Sequence, residues 1–140
     1  MEQTHFETSS VLGLPENYSD LDWAKLLSQG LPTSAFERLC ETIAPDNKAF
    51  CYELVPRSTL VRRRKDKRMT PEESERIQRI AEIWSFALDV FRDEVKARRF
   101  LSRPHALLRG ERPIDLVIAN AKGARAVEGV LGRLKYGSAA

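Results

Sequence analysis

The stretch from Thr70 to Phe91 limits the possible folds more than any other part of the chain. Thr70-Pro71-Glu72-Glu73 provides a capping threonine, a proline at the first helical position and a glutamate at the third, which together form a capping box. The apolar residues that follow at helical spacing are Ile77, Ile80, Ala81, Ile83, Trp84, Ala87, Leu88, Val90 and Phe91. Because they cover so much of the circumference, neighbours must pack on two sides of this long helix.

Shorter helices are predicted on both sides of the long one. Capping residues, glycines and prolines place them at about 20–28, 33–43, 47–55 and 57–65 before it, and at about 93–101, 114–120 and 122–134 after it. Asp20 is the predicted N-cap of the first of these helices, and Asp93 is the predicted N-cap of the helix that follows the long one. In the helix at 57–65, Leu60 and Val61 are the few apolar contacts, and Gly123 is interpreted as a tight turn. Since no segment alternates long enough for a convincing strand, the predicted fold class is all-α with about eight helices.

The helix pattern divides the chain into a tail and two halves. Residues 1–17 are polar and unpatterned, so a loose, flexible tail is expected there. A soft boundary near Lys65–Thr70 separates a half at 18–68 from a half at 69–140. With the tail counted in the first half, each half has about 70 residues, which is marginal for independent stability, so we expect the halves to share a core, to dimerise, or both.

Composition excludes several classes of protein. No apolar run approaches about 18 residues, so no membrane span is predicted. The first ten residues lack the basic-then-apolar pattern of a secretory signal. Cys40 and Cys51 sit among apolar neighbours in helical patterns and are interpreted as small core residues, not as a disulfide or a metal pair. A cytoplasmic protein is expected.

Catalytic signatures are missing from the sequence. His5 lies in the predicted tail and His105 in a proline-flanked loop, and neither has a cysteine or carboxylate at metal-ligand spacing. There is no glycine-rich phosphate loop and no convincing Ser-His-Asp order. We therefore predict that the chain is not an enzyme and holds no metal and no cofactor.

The positive charge of the chain is concentrated in residues 57–68. This run has seven Lys and Arg against one acid, whereas the net charge of the whole chain is only +3. A concentrated positive field suits a polyanion, because each neutralised phosphate releases condensed counterions. Two alternatives remain open, a solvated charged surface and a binding site for an acidic protein.

The predicted helices at 47–55 and 57–65, with Pro56 at the corner, form a helix-turn-helix arrangement. The second helix would present its N-terminus and one face to the major groove of DNA, and no aromatic-rich basic surface suggests RNA instead. We predict phosphate contacts from Arg57, Ser58 and Thr59, guanine contacts from Arg62 and Arg63, and further backbone contacts from Arg64, Lys65, Lys67 and Arg68.

A spaced pattern of prolines and glycines marks the C-terminal part. It reads Phe100-Leu101-Ser102-Arg103-Pro104, then Gly110-Glu111-Arg112-Pro113, then Gly123-Ala124-Arg125-Ala126-Val127-Glu128, and finally Leu131-Gly132-Arg133-Leu134-Lys135-Tyr136-Gly137. This order resembles the Xre/MbcA/ParS-type toxin-binding domain of bacterial type II antitoxins. Pro56-Arg57-Ser58-Thr59-Leu60 resembles the turn and recognition helix of the family's Xre-like half.

The resemblance implies a partner and a function. The family's usual partner is a RES-domain toxin that consumes NAD, and the antitoxin's C-terminal segment would cover the toxin's NAD pocket. The matching residues here are Arg133, Lys135, Tyr136 and Gly137. Independently, two cations and an aromatic at a helix end could enter a pocket for a phosphate-bearing ligand, although Arg133 and Lys135 could simply favour the helix dipole.

Three functions are therefore carried forward. The preferred one is an antitoxin that inhibits a NAD-degrading toxin and represses its own operon by binding operator DNA as a homodimer. The first alternative is a stand-alone dimeric helix-turn-helix regulator. The second is a structural adaptor that does not bind DNA.

Overall fold

The computed structural model of the chain describes residues 8–137, which fold as a series of helices joined by short turns. The described residues contain no strand, so the all-α prediction is confirmed. A short helical segment occupies residues 8–12, and a 3-10 turn spans Ala106–Leu108. The longer elements are α1 Asp20–Gln29, α2 Thr33–Ile43, α3 Phe50–Leu54, α4 Arg57–Asp66, α5 Pro71–Phe91, α6 Glu94–Ser102, α7 Pro113–Ala119 and α8 Ala121–Tyr136.

Helix α5 begins where the capping box predicts. The Thr70 hydroxyl accepts a hydrogen bond from the Glu73 N–H, and the Glu73 carboxylate accepts one from the Thr70 N–H. Both orphan donors at this helix start are thereby satisfied. Trp84 and Ile80, in the middle of the predicted apolar stripe, are fully buried.

One hydrophobic core joins the two halves through α5. It includes Phe36 and Leu39 of α2 on one side and Val127 and Leu131 of α8 on the other. Arg98 of α6 adds a polar link, because its Nε donates to the Thr42 carbonyl at the end of α2 over 2.9 Å. The expectation that the halves share a core is therefore confirmed.

Two predicted features near the N-terminus are different in the structure. Residues 8–12 are helical and Leu12 is buried in the core, so this part of the expected loose tail is packed; residues 1–7 lie outside the described range. The N-cap of α1 is Ser19, whose hydroxyl accepts from the Asp22 N–H, and not Asp20. A serine one residue earlier satisfies the same orphan donor.

The helix predicted at 47–55 is also shorter than expected. It begins only at Phe50, because the Asn47 side chain accepts a hydrogen bond from the Ala49 N–H and holds residues 47–49 in a turn. In the following helix Leu60 is buried as predicted, whereas Val61 is 49% exposed and is not a core contact.

Cys40 is buried, Cys51 is half-buried, and both are free thiols. Burial, reinforced by the neighbouring Cys51 thiol, raises the pKa of the Cys40 thiol. Among the described residues no helix is long and apolar enough to cross a membrane. The same residues contain no group of three or more His, Cys, Asp or Glu side chains that could hold a metal ion.

Gly123 does not form the tight turn that the sequence suggested. It lies in the first turn of α8, where the Asn120 side chain accepts a hydrogen bond from its N–H over 2.8 Å. A Cβ atom at this position would lie 2.0 Å from the carbonyl oxygen of Leu116 in α7. The glycine therefore lets the start of α8 approach the backbone of α7 closely.

Gly123→Ala is expected to destabilise the protein by about 2 kcal/mol or more, because the backbones of α7 and α8 must separate. Gly129→Ala is the matched control in the same helix, since its Cβ would meet nothing within 4 Å. The control is expected to stabilise the protein by about 0.5–1 kcal/mol through helix propensity. Urea denaturation of both variants measures the difference, and equal stabilities would contradict the close approach at Gly123.

Candidate functional site

Helix α4 is fixed in place by its buried side and leaves its charged side exposed. Leu60 anchors it in the core. Thr33 of α2 fastens its C-terminal end, donating from its hydroxyl to the Arg63 carbonyl and from its N–H to the Lys67 carbonyl. At the other end, the Arg57 guanidinium lies 4.6 Å from the centre of the Tyr52 ring, a cation–π distance. The helix is therefore held at both ends.

The predicted DNA contacts differ in how far they are free to meet a ligand. Arg57, Ser58, Arg62 and Lys65 are exposed, and Thr59 is half-buried. Arg64 is exposed but pairs with Glu37 of α2, with 3.1 Å between its Nε and the carboxylate. Lys67 and Arg68 follow the helix, where an Arg68 Nη donates to the Gly30 carbonyl over 3.0 Å. Within residues 8–137, the exposed cations of α4 that form no ion pair are thus Arg57, Arg62 and Lys65, of which Arg57 contacts the Tyr52 ring.

Arg63 is engaged inside the protein. Its Nε and Nη2 donate to the two carboxylate oxygens of Glu73 over 2.7 and 3.1 Å, and the two side chains are only 18% and 14% exposed. This fork ties α4 to the first turn of α5. The sequence indicated only the capping role of Glu73, because nothing local identifies an arginine ten residues earlier as its partner.

Opposing effects act on the Glu73 carboxyl. Burial raises its pKa, but hydrogen bonds from Arg63 and from the Thr70 N–H, together with the charge of Arg63, lower it below the usual range. The hydrogen bond to Glu73 correspondingly raises the pKa of Arg63. Glu73 is therefore ionised in the folded protein at neutral pH.

Glu73→Gln is expected to lower the free energy of unfolding at pH 7 by about 1–3 kcal/mol, since it breaks a part-buried charged hydrogen bond. Because the folded pKa lies below the unfolded one, this stabilisation is present above the unfolded pKa and is lost as the pH falls through the folded value. Denaturation at pH 7 and at pH 3 should therefore show that the variant and the unmodified protein differ less in their free energy of unfolding at pH 3. Glu72→Gln, exposed in the same helical turn, is the control, and an equal loss there would rule out the fork.

The last turn of α8 forms the second candidate surface. Lys135 makes an ion pair with Asp89 of α5, and its ammonium lies 5.2 Å from the centre of the Tyr136 ring. The hydrogen bond to Asp89 raises the pKa of Lys135, which stays charged. Tyr136 is 70% exposed, and Arg133 and Gly137 are exposed as well. The Asp89 pair therefore fixes the orientation of a turn whose other side chains face solvent.

Two family models match consecutive stretches of the chain. The antitoxin Xre-like helix-turn-helix domain matches residues 22–82. The antitoxin Xre/MbcA/ParS C-terminal toxin-binding domain matches residues 86–137. The chain belongs to the Xre/MbcA/ParS antitoxin family. This confirms the resemblance that the spaced proline and glycine motifs indicated.

Curated relatives support the family. An "Antitoxin Xre" of Yersinia enterocolitica is 41% identical over 85 residues, which cover 59% of this chain and 57% of the relative. An "Antitoxin Xre" of Pseudomonas putida is 28% identical over 131 residues, which cover 91% of this chain and 80% of the relative. The chain thus spans little more than half the length of the Yersinia relative.

The two candidate surfaces of this Xre-family antitoxin fall in different matched domains. Helix α4 lies in the helix-turn-helix stretch, and the last turn of α8 lies in the toxin-binding stretch. The boundary between the two stretches falls within α5, since one ends at residue 82 and the other begins at residue 86. The division at 18–68 and 69–140 stays a prediction.

Proposed function

We propose that this antitoxin neutralises a RES-type, NAD-degrading toxin with the end of α8 and represses its own operon with α4. The observation that carries the toxin half is the fixed, exposed last turn of α8 within the matched toxin-binding domain. The DNA half is supported by the unpaired cations of α4 within the matched helix-turn-helix domain.

Tyr136 has the chemistry to enter an NAD pocket. Its ring is 70% exposed, and a flat aromatic ring suits a cavity that accepts the aromatic bases of a dinucleotide. Lys135 is held by Asp89, so the ring starts from a restricted orientation and less entropy is lost on binding. Arg133 and Gly137, on either side, would contact the rim of the pocket.

The start of α4 suits a phosphate. Pro56 offers no side-chain cap, so the first backbone N–H groups of the helix are free to meet an anion, next to the Ser58 hydroxyl. Arg62 is the exposed candidate for reading a guanine edge, whereas the guanidinium of Arg63 is occupied by Glu73. Arg57 and Lys65 would hold the DNA backbone, with two protomers on two half-sites.

Co-expression with the product of the neighbouring gene, as the candidate toxin, tests the proposal. Cells that make the toxin alone should stop growing and lose NAD, and cells that also make this chain should keep both growth and NAD. A reporter driven by the operon's own promoter should be repressed by the chain. Growth arrest at an unchanged NAD level would reject the RES class. Repression without protection would instead support the stand-alone regulator.

A further inference from the structure

A groove of about 390 Å³ opens beside the last turn of α8. Its floor consists of Phe91 at the end of α5, Phe100 of α6, His105 and Leu134 of α8. The rings are in contact, with 5.4 Å between the centroids of Phe91 and Phe100 and 5.7 Å between those of Phe100 and His105. The floor is therefore apolar and largely aromatic, and it is open to solvent.

Three cations form the rim of this groove. Lys96, Arg99 and Arg103 line it, all three are exposed, and no acidic side chain lines it with them. Within residues 8–137 none of the three forms an ion pair. The nearby Arg98, in contrast, donates hydrogen bonds to the Thr42 carbonyl and to the Glu94 carboxylate. The rim therefore carries positive charge that the described part of the chain leaves uncompensated.

His105 adds a directional donor. Its Nδ1 accepts a hydrogen bond from the Leu107 N–H over 3.2 Å, which assigns the proton of the neutral ring to Nε2. The groove thus combines an apolar floor, a ring N–H donor and three cations. Carboxylates would form ion pairs with the cations of such a rim, and one or two large apolar side chains would pack against such a floor.

We propose that this groove binds an acidic segment of the toxin that carries an aromatic or large aliphatic anchor residue. The inference rests on the proposed function and adds a second attachment point to it. Leu134 connects the two, since it lines the groove and precedes Lys135 and Tyr136 in the same helical turn. A toxin that covers Tyr136 is therefore brought to the groove, and the cationic rim selects an acidic segment from its surface.

Charge reversal tests the rim without disturbing the core. The variant Lys96→Glu/Arg99→Glu/Arg103→Glu is expected to weaken toxin binding about 100-fold, because three attractive charges become repulsive. The control Lys48→Glu/Lys122→Glu/Arg125→Glu makes the same change of charge at exposed positions outside the groove. Its affinity for the toxin should stay within about 3-fold of that of the unmodified chain. Calorimetric titration with the toxin identified by co-expression gives the affinities, and thermal unfolding shows that both variants are folded.

Carbodiimide cross-linking identifies the occupant. The reagent condenses an ammonium with a carboxylate, the carbodiimide takes up the water, and an amide is left between Lys96 and any carboxylate that it touches. Mass spectrometry of the treated complex is expected to find Lys96 joined to a toxin Asp or Glu that has an aromatic or large aliphatic residue close in sequence.

Each other outcome has a definite meaning. If the unmodified chain binds no toxin, the proposed function and this inference both fail. If it binds but the groove variant binds as tightly as the control, only the groove is rejected. Lys96 cross-linked to a second copy of this chain would reject the toxin as occupant. Loss of operator affinity in the groove variant alone would show that the groove binds nucleic acid.

Discussion

Removal of residues 135–140 is expected to abolish toxin neutralisation while the protein stays folded and binds DNA. The truncation deletes Tyr136 and the Lys135 partner of Asp89 but retains Val127, Val130 and Leu131, which hold α8 in the core. Removing an exposed aromatic anchor and its support should raise the inhibition constant at least about 100-fold, which corresponds to about 2.7 kcal/mol. Leu134 is kept, so the groove beside it remains lined.

Protection of toxin-expressing cells and inhibition of the purified toxin measure this effect. Asp89→Asn provides a graded comparison, since it frees Lys135 and leaves every side chain of the last turn present. It should weaken inhibition less than the truncation does. A truncated chain that still protects cells would show that the end of α8 is not the inhibitory element.

The second large effect is expected on DNA. Arg57→Ala/Arg62→Ala/Lys65→Ala removes the three exposed cations of α4 that form no ion pair within residues 8–137, and it should reduce operator affinity about 1,000-fold for a dimer. For the unmodified protein, log affinity should fall against log salt with a slope of about −4 to −8 per dimer, and the variant should give a shallower slope. The variant loses the contact between Arg57 and Tyr52, but it keeps buried Leu60 and the two hydrogen bonds from Thr33 to backbone carbonyls, which hold α4 in place.

Binding measured across a salt series separates this effect from a loss of folding. Lys25→Ala/Lys48→Ala/Lys122→Ala removes equal charge from exposed positions outside α4 and should leave the slope nearly unchanged. Toxin inhibition should persist in both variants. A flat salt response of the unmodified protein would reject nucleic acid and favour an acidic protein partner for the basic helix.

Local chemistry made much of the fold predictable. The Thr70 capping box and the Asp93 N-cap act within three residues, so the sequence places the starts of α5 and α6 where the structure has them. The prediction was wrong where a nearby residue competed, as when Asn47 holds a turn that delays α3. The sequence predicts a core contact at Val61, which is exposed, because the apolar residues of a short helix do not reveal which side of it faces inward.

The candidate sites depend on contacts that the sequence does not reveal. Arg63 looks like its neighbours in a run of cations, yet of the cations at 57–68 it is the one that forms a part-buried fork with Glu73. Asp89 and Lys135 are 46 residues apart, so neither identifies the other from spacing. The close approach at Gly123 depends likewise on the carbonyl of Leu116 in another helix. In each case tertiary packing determines which side chain remains free for a partner.

Helix α5 contributes to the core of both halves, so the halves cannot unfold separately without exposing its apolar stripe. In the proposed function, a protease that unfolds the chain therefore destroys both activities in one event. On that proposal, the promoter would be derepressed at the moment when the toxin is released. Fresh antitoxin would then be transcribed as soon as the old supply is degraded, so that the level of this one protein would set both transcription and toxicity.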